Sequence, residues 1–113
     1  MTGTRSLVDS DVYPDTLAAR GLECVKPGAV ERDAIDRLIF EELVNGVFTQ
    51  EAVTYFQQVI ERLKAEGCDA VVLGCTEIPL VMNDSNSPLP TLDSTRLLAR
   101  AALRRAAESR RPA

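Results

Sequence analysis

Apolar positions recur along much of the chain with the period of a helix. Between 30 and 44, Ile35, Leu38, Ile39 and Leu43 share one face, while Glu31, Arg32, Asp36, Arg37 and Glu41 fall mostly on others. That spacing predicts an amphipathic helix, ended by Asn45-Gly46. Val53, Phe56, Ile60 and Leu63 form a second stripe and predict a helix over about 50–66. Thr49 is placed to cap it, Glu51 sits in its first turn and Gly67 ends it. Residues 69–74, DAVVLG, break the period with a near-continuous apolar run, the pattern of a parallel strand covered on both faces. Weaker signals predict a helix at 11–20 stopped by Gly21, a strand at 22–26 stopped by Pro27-Gly28, a strand at 88–92 between prolines, and a final helix at 93–110.

Strands and helices in alternation imply an α/β fold with a parallel sheet of three to four strands flanked by helices, joined by right-handed crossovers. The stretch Met1-Thr2-Gly3-Thr4-Arg5 reads as a loop whose preceding strand is missing. Residues 1–113 are therefore expected to form a single half-domain of a larger α/β protein.

Size and charge narrow the function. The chain has 113 residues, 45% of them hydrophobic, a formal charge of -4 and 4% aromatics. This suits one globular domain and disfavours nucleic acid as a partner. No apolar run approaches the roughly 20 residues that span a bilayer, and the N-terminus lacks the apolar core of a secretory signal. A cytoplasmic location and no membrane partner are expected. Cys24, Cys68 and Cys75 are odd in number and irregularly spaced, which is no disulfide framework. With no histidine and no CxxC, no metal site is expected, and histidine is excluded as a general base. Position 81 is Val81, 74 is Gly74 and 30 is Val30, so no cysteine has the arginine six positions on that a phosphatase-type loop needs.

Cys75 stands at the carboxyl end of the 69–74 strand, where open parallel sheets bind ligands. Gly74 lets another backbone come close, and Pro79 suits the first turn of a following helix. Cys75 and Thr76 would then lie at a helix N-terminus, whose N–H groups bind carboxylates and favour a thiolate. Glu77 could exchange a proton with the thiol or orient it. The local pattern leaves Cys75 open between this reading and a small buried hydrophobe. Cys24 and Cys68 read as structural.

The run Gly74-Cys75-Thr76-Glu77-Ile78-Pro79-Leu80 resembles the C-terminal motif of the aspartate/glutamate racemase family. The Glu-Ile after Cys-Thr is closer to the aspartate racemase branch; glutamate racemases usually have His-Tyr there. The stretches IFEELVNGVF at 39–48, SPLPTLDST at 87–95 and TGTR at 2–5 are similar to that branch too. The resemblance implies a cofactor-independent racemase of two α/β halves, with the acidic amino acid between them and one cysteine from each half. Carried over by position, Cys75 is one of two thiol acid/bases and Glu77 the acidic residue beside it. Thr76 and Thr4 bind substrate, and Asn45 stands where aspartate racemases often carry a lysine. The other half, with its cysteine, has no counterpart here, so the resemblance implies a homo-oligomer or a partner chain that supplies it. It also implies that the helix at 93–113 packs toward that half. Arg96, Arg100, Arg104, Arg105, Arg110 and Arg111 give this helix a basic face, and Leu97, Leu98, Ala101 and Leu103 are expected to be partly uncovered. Two rival readings keep the fold but change the activity: a non-catalytic carboxylate-binding half-domain, and a single-cysteine decarboxylase or isomerase of the same superfamily.

Overall fold

The computed structural model describes residues 1–109. The elements run α1 (Arg5–Val8), α2 (Val12–Ala18), α3 (Ala29–Glu41), a 3-10 turn (Leu43–Asn45), α4 (Gln50–Ala65), β1 (Val71–Leu73), a second 3-10 turn (Ile78–Leu80), β2 (Thr91–Asp93) and α5 (Ser94–Ser109). β1 and β2 pair in parallel, with Val71 beside Thr91, Val72 beside Leu92 and Leu73 beside Asp93. Alternate peptide groups of a strand point to opposite edges. On the other edge of β1, Thr2 forms a parallel bridge to Leu73. The Thr2 N–H donates to Val72 O at 2.8 Å, and the Gly74 N–H donates to Thr2 O at 2.8 Å.

The two predicted stripes build the core. Ile35 and Ile39 of α3, Leu43, and Phe56, Val59, Ile60 and Leu63 of α4 close over Val71 and Leu73. Ile78, Val81, Met82 and Leu89 complete the same cluster, with Leu38 and Val53 at its margin. Thr49 caps α4 by accepting the Ala52 N–H at 3.1 Å. The predicted 30–44 helix is α3 followed by a separate 3-10 turn, which Gly46 ends in the left-handed conformation, φ 75°.

Three expectations about strands change. Among the described residues the sheet has two strands and the Thr2 bridge, not three to four strands. The segment 22–26 forms no strand; the Met1 nitrogen donates to Val25 O at 2.6 Å, and one such bond makes no ladder. Val25 nonetheless packs on the core. The strand expected at 88–92 lies at Thr91–Asp93 instead. Pro88 and Pro90 have no N–H to donate, so pairing begins where Pro90 contributes only its carbonyl, to the Val71 N–H at 3.0 Å. Arg110 and Arg111, called on the final helix, lie outside the described residues. Within α5, Leu97, Leu98 and Leu103 are exposed, as expected. No helix among the described residues is long and apolar enough to cross a membrane.

Asp84 fixes the connection into β2. Its Oδ1 accepts the Thr91 N–H at 2.8 Å and the Thr91 hydroxyl at 2.7 Å. These bonds favour the carboxylate and hold Asp84 below its usual value of 3.8. A group depressed on folding stabilises the fold above its unfolded pKa, and that contribution is lost as pH falls through the folded one. Asp84→Asn is therefore expected to lower Tm at neutral pH, with the gap to the parent closing below pH about 4. Thermal melts across the acid range check this; a gap independent of pH would rule it out.

Candidate active site

Because the chain segments at Thr2, β1 and β2 run in parallel, all three leave the sheet at one edge. Gly3-Thr4 follows Thr2, Gly74-Cys75-Thr76 follows β1, and Ser94-Thr95 follows β2. Gly3 and Gly74 lie against each other: a Cβ on Gly3 would sit 3.6 Å from the Gly74 Cα. A Cβ on Gly74 would come within 2.7 Å of both Thr2 O and Leu7 Cδ2. Leu7 could move, but the Thr2 carbonyl is held by the bond it accepts from Gly74. Gly74→Ala is expected to destabilise the protein by about 1–3 kcal/mol, as overpacking does. An unchanged urea midpoint would show room that the structure denies.

Cys75 is half-buried, one side of it packed on the core cluster. Its Sγ accepts the Glu77 N–H at 3.3 Å. The exposed Thr76 donates its hydroxyl to Glu77 Oε1 at 2.6 Å, so the Glu77 carboxylate is bonded to Thr76 and not to the thiol. Among the described residues, the backbone N–H groups of Cys75 and Thr76 have no protein acceptor. Buried Ile78 anchors the turn, with Pro79 near its start. The helix expected after Pro79 is one 3-10 turn, because the chain folds back at once. Asn83 Oδ1 accepts the Ser85 N–H, and Asn86 Oδ1 accepts the Asn83 N–H, both at 2.9 Å. Anion-binding capacity here therefore rests on the free turn amides rather than on a long helix dipole.

Thr4 is the N-cap of α1, its Oγ1 accepting the Leu7 N–H at 3.4 Å. A four-residue helix has no periodicity to read, so α1 is invisible in the sequence. It is fastened to α3 instead. The Arg5 N–H donates to Asp36 at 2.7 Å, Arg5 pairs with Asp33 at 3.0 Å, and Asp9 pairs with Arg32 at 2.9 Å. This holds the Gly3-Thr4 loop beside Gly74. Asn45 is placed differently. It ends the first 3-10 turn, exposed, with Nδ2 donating to Glu41 O at 3.1 Å. Among the described residues, no hydrogen bond joins it to the Cys75 turn.

The structure thus brings Cys75, Thr76, Glu77 and the Gly3-Thr4 loop to one sheet edge. Cys68 lies before β1, toward the opposite edge, its N–H bonded to Leu63 O at 3.1 Å. A groove of about 500 Å³ between the Pro79–Asp84 segment and α5 is lined by Leu73, Leu80, Asp93 and Arg96, but not by Cys75, Thr76 or Glu77. Among the described residues, no group of three or more Cys, Asp or Glu could hold a metal ion. Two residues that hold the site escaped the sequence reading. Thr2 is fully buried and donates its hydroxyl to Val72 O at 2.8 Å. Ser94 donates its hydroxyl to Leu73 O at 2.9 Å. Both bonds join residues far apart in the chain, and no local pattern reports them.

The sequence pattern of the Asp/Glu/hydantoin racemase family matches residues 1–102. The fold superposes on the crystal structure of a provisionally assigned Asp/Glu racemase from Yersinia pestis, with a TM-score of 0.83 and 33% identity. It superposes equally on an aspartate racemase homologue from Pyrococcus horikoshii OT3, with a TM-score of 0.84 and 31% identity. These matches cover 89% and 94% of this chain but 44% and 46% of the solved chains. An uncharacterized protein in the pnlA 3′ region of Pectobacterium carotovorum subsp. carotovorum is 25% identical over 97 residues, 84% of this chain and 63% of that protein.

Proposed function

Because the chain belongs to the Asp/Glu/hydantoin racemase family, we propose that Cys75 is a thiol acid/base of a cofactor-independent amino-acid racemase, working on one face of the Cα of an acidic amino acid. The observation that carries this is the Cys75 turn itself. A sulfur that accepts the Glu77 N–H at 3.3 Å sits beside two unengaged amides and a hydroxyl, at the ligand-binding edge of a parallel sheet.

The amides of Cys75 and Thr76 receive the α-carboxylate. There they also stabilise the charge that develops on it as the α-proton leaves. The Cys75 thiolate takes that proton, or the thiol returns one from the same face. Glu77 orients the Thr76 hydroxyl and exchanges protons with the site. The Thr4 oxygen accepts from Leu7, which leaves the Thr4 hydroxyl proton for substrate. Asn45 carries no charge to pair with a side-chain carboxylate, and its Nδ2 is bonded to α3. A thiol in this role must stay reduced, which suits the cytoplasm.

Inversion also needs an acid on the opposite face of Cα. Cys68 lies away from the Cys75 edge, so that acid is supplied from outside this half-domain, by a second α/β half in a longer or neighbouring chain. The exposed α5 faces that half.

The test is α-proton exchange in D2O, followed by NMR, with the full chain and each enantiomer of aspartate and glutamate. Exchange of one enantiomer without inversion is the expected signature of a single working thiol, and exchange with inversion would show that the second acid has been recruited. No exchange from a folded chain that still binds the amino acid would overturn catalysis and leave a carboxylate-binding module.

A further inference from the structure

Accepting the proposed role of Cys75, we infer that Ser94 is a positioning residue for that thiol, acting through the Leu73–Gly74 peptide group. The Leu73–Gly74 peptide is held from both edges of β1. Its carbonyl accepts the Ser94 hydroxyl at 2.9 Å, and its N–H donates to Thr2 O at 2.8 Å. A peptide group fixed at both its donor and its acceptor cannot rotate about the strand axis, and Cys75 follows one residue on, across Gly74. That anchor fixes where the Cys75 turn leaves β1, the turn in which Sγ accepts the Glu77 N–H at 3.3 Å.

A serine at the start of a helix ordinarily turns back to cap its own helix. Here Asp93 does so, its Oδ1 accepting the Thr95 and Arg96 N–H groups at 3.1 and 3.2 Å. Ser94 is thereby free to reach across to β1. The hydroxyl is half-buried, and the bond spans 21 residues of chain. Without it, the Leu73 carbonyl loses a side-chain donor on its β2 side, and the start of the Cys75 turn is held less firmly. The Glu77 N–H then meets the sulfur less well; a donor directed at sulfur promotes the reactivity of a cysteine.

Alkylation of the full chain by iodoacetamide at neutral pH tests this without substrate, with Cys75, Cys24 and Cys68 followed separately by peptide mass spectrometry. In Ser94→Ala, Cys75 is expected to react about threefold or more slowly, with Cys24 and Cys68 unchanged. Ser94→Thr keeps the hydroxyl and is expected to restore the parent rate. A Cys75 rate that is unchanged or faster overturns the inference. So does a slow rate that Ser94→Thr fails to restore, or acceleration at all three thiols, the mark of general loosening. Failure here is separable from failure of the racemase proposal. The alkylation rates report the geometry of the turn, whereas the effect of Cys75→Ser on proton exchange reports its chemistry.

Discussion

Replacing Cys75 by serine is expected to slow α-proton exchange by about 10²- to 10⁴-fold, the usual contribution of a positioned acid/base. The fold should survive. Cys75 is half-buried at the margin of the core, its contact with the Glu77 N–H is one a serine oxygen can also make, and the Gly74 and Ile78 anchors on either side are untouched. What is lost is a group that ionises readily: a serine hydroxyl, far less acidic than a thiol, cannot serve as the base near neutral pH. The comparison variants are Cys24→Ser and Cys68→Ser, both expected to exchange at the parent rate. Exchange retained in Cys75→Ser would remove Cys75 from the mechanism, whereas loss in all three variants would point to folding rather than chemistry.

The largest expected loss of stability is at Phe56, where truncation to alanine should cost about 3–5 kcal/mol. Phe56 lies in the middle of α4, has no exposed surface, and belongs to the cluster that packs β1 against α3 and α4. That cluster joins α4 to α3, β1 and both 3-10 turns, so it cannot close the resulting space without shifting α4 along the sheet. Domains of this size are stable by about 5–15 kcal/mol, so the variant should sit close to its folding threshold. Urea unfolding followed by circular dichroism measures the loss. A difference below about 1 kcal/mol would mean that the core collapses around the gap. The site should weaken with it, because Leu73, the residue that leads into Gly74 and Cys75, is in the same cluster.

Legibility varied with the distance over which each feature is encoded. α3 and α4 could be read because their apolar stripes are continuous and strong. β1 could be read because a strand covered by helices shows an unbroken apolar run. The segment 22–26 has strand-like composition, yet a strand is made by its partner, and the bond from the Met1 nitrogen to Val25 O makes no ladder. The helix expected beyond Pro79 was cut to a turn by the side chains of Asn83 and Asn86, an arrangement with no periodicity.

For the site, the sequence by itself determined the thiol and its surroundings: a cysteine at the end of a buried strand, followed by Thr76, Glu77 and Pro79. Those are local facts, carried by residues adjacent in the chain. Only the tertiary structure decided what holds the thiol in place and what its neighbours are free to do. It bonded Glu77 to Thr76 rather than to Cys75, assigned Thr4 and Asn45 to capping roles, and fixed the Leu73–Gly74 peptide between Thr2 and Ser94. The reason is geometric: parallel strands bring together residues that lie 21 and 70 positions apart, and hydrogen bonds over such separations leave no trace in local patterns.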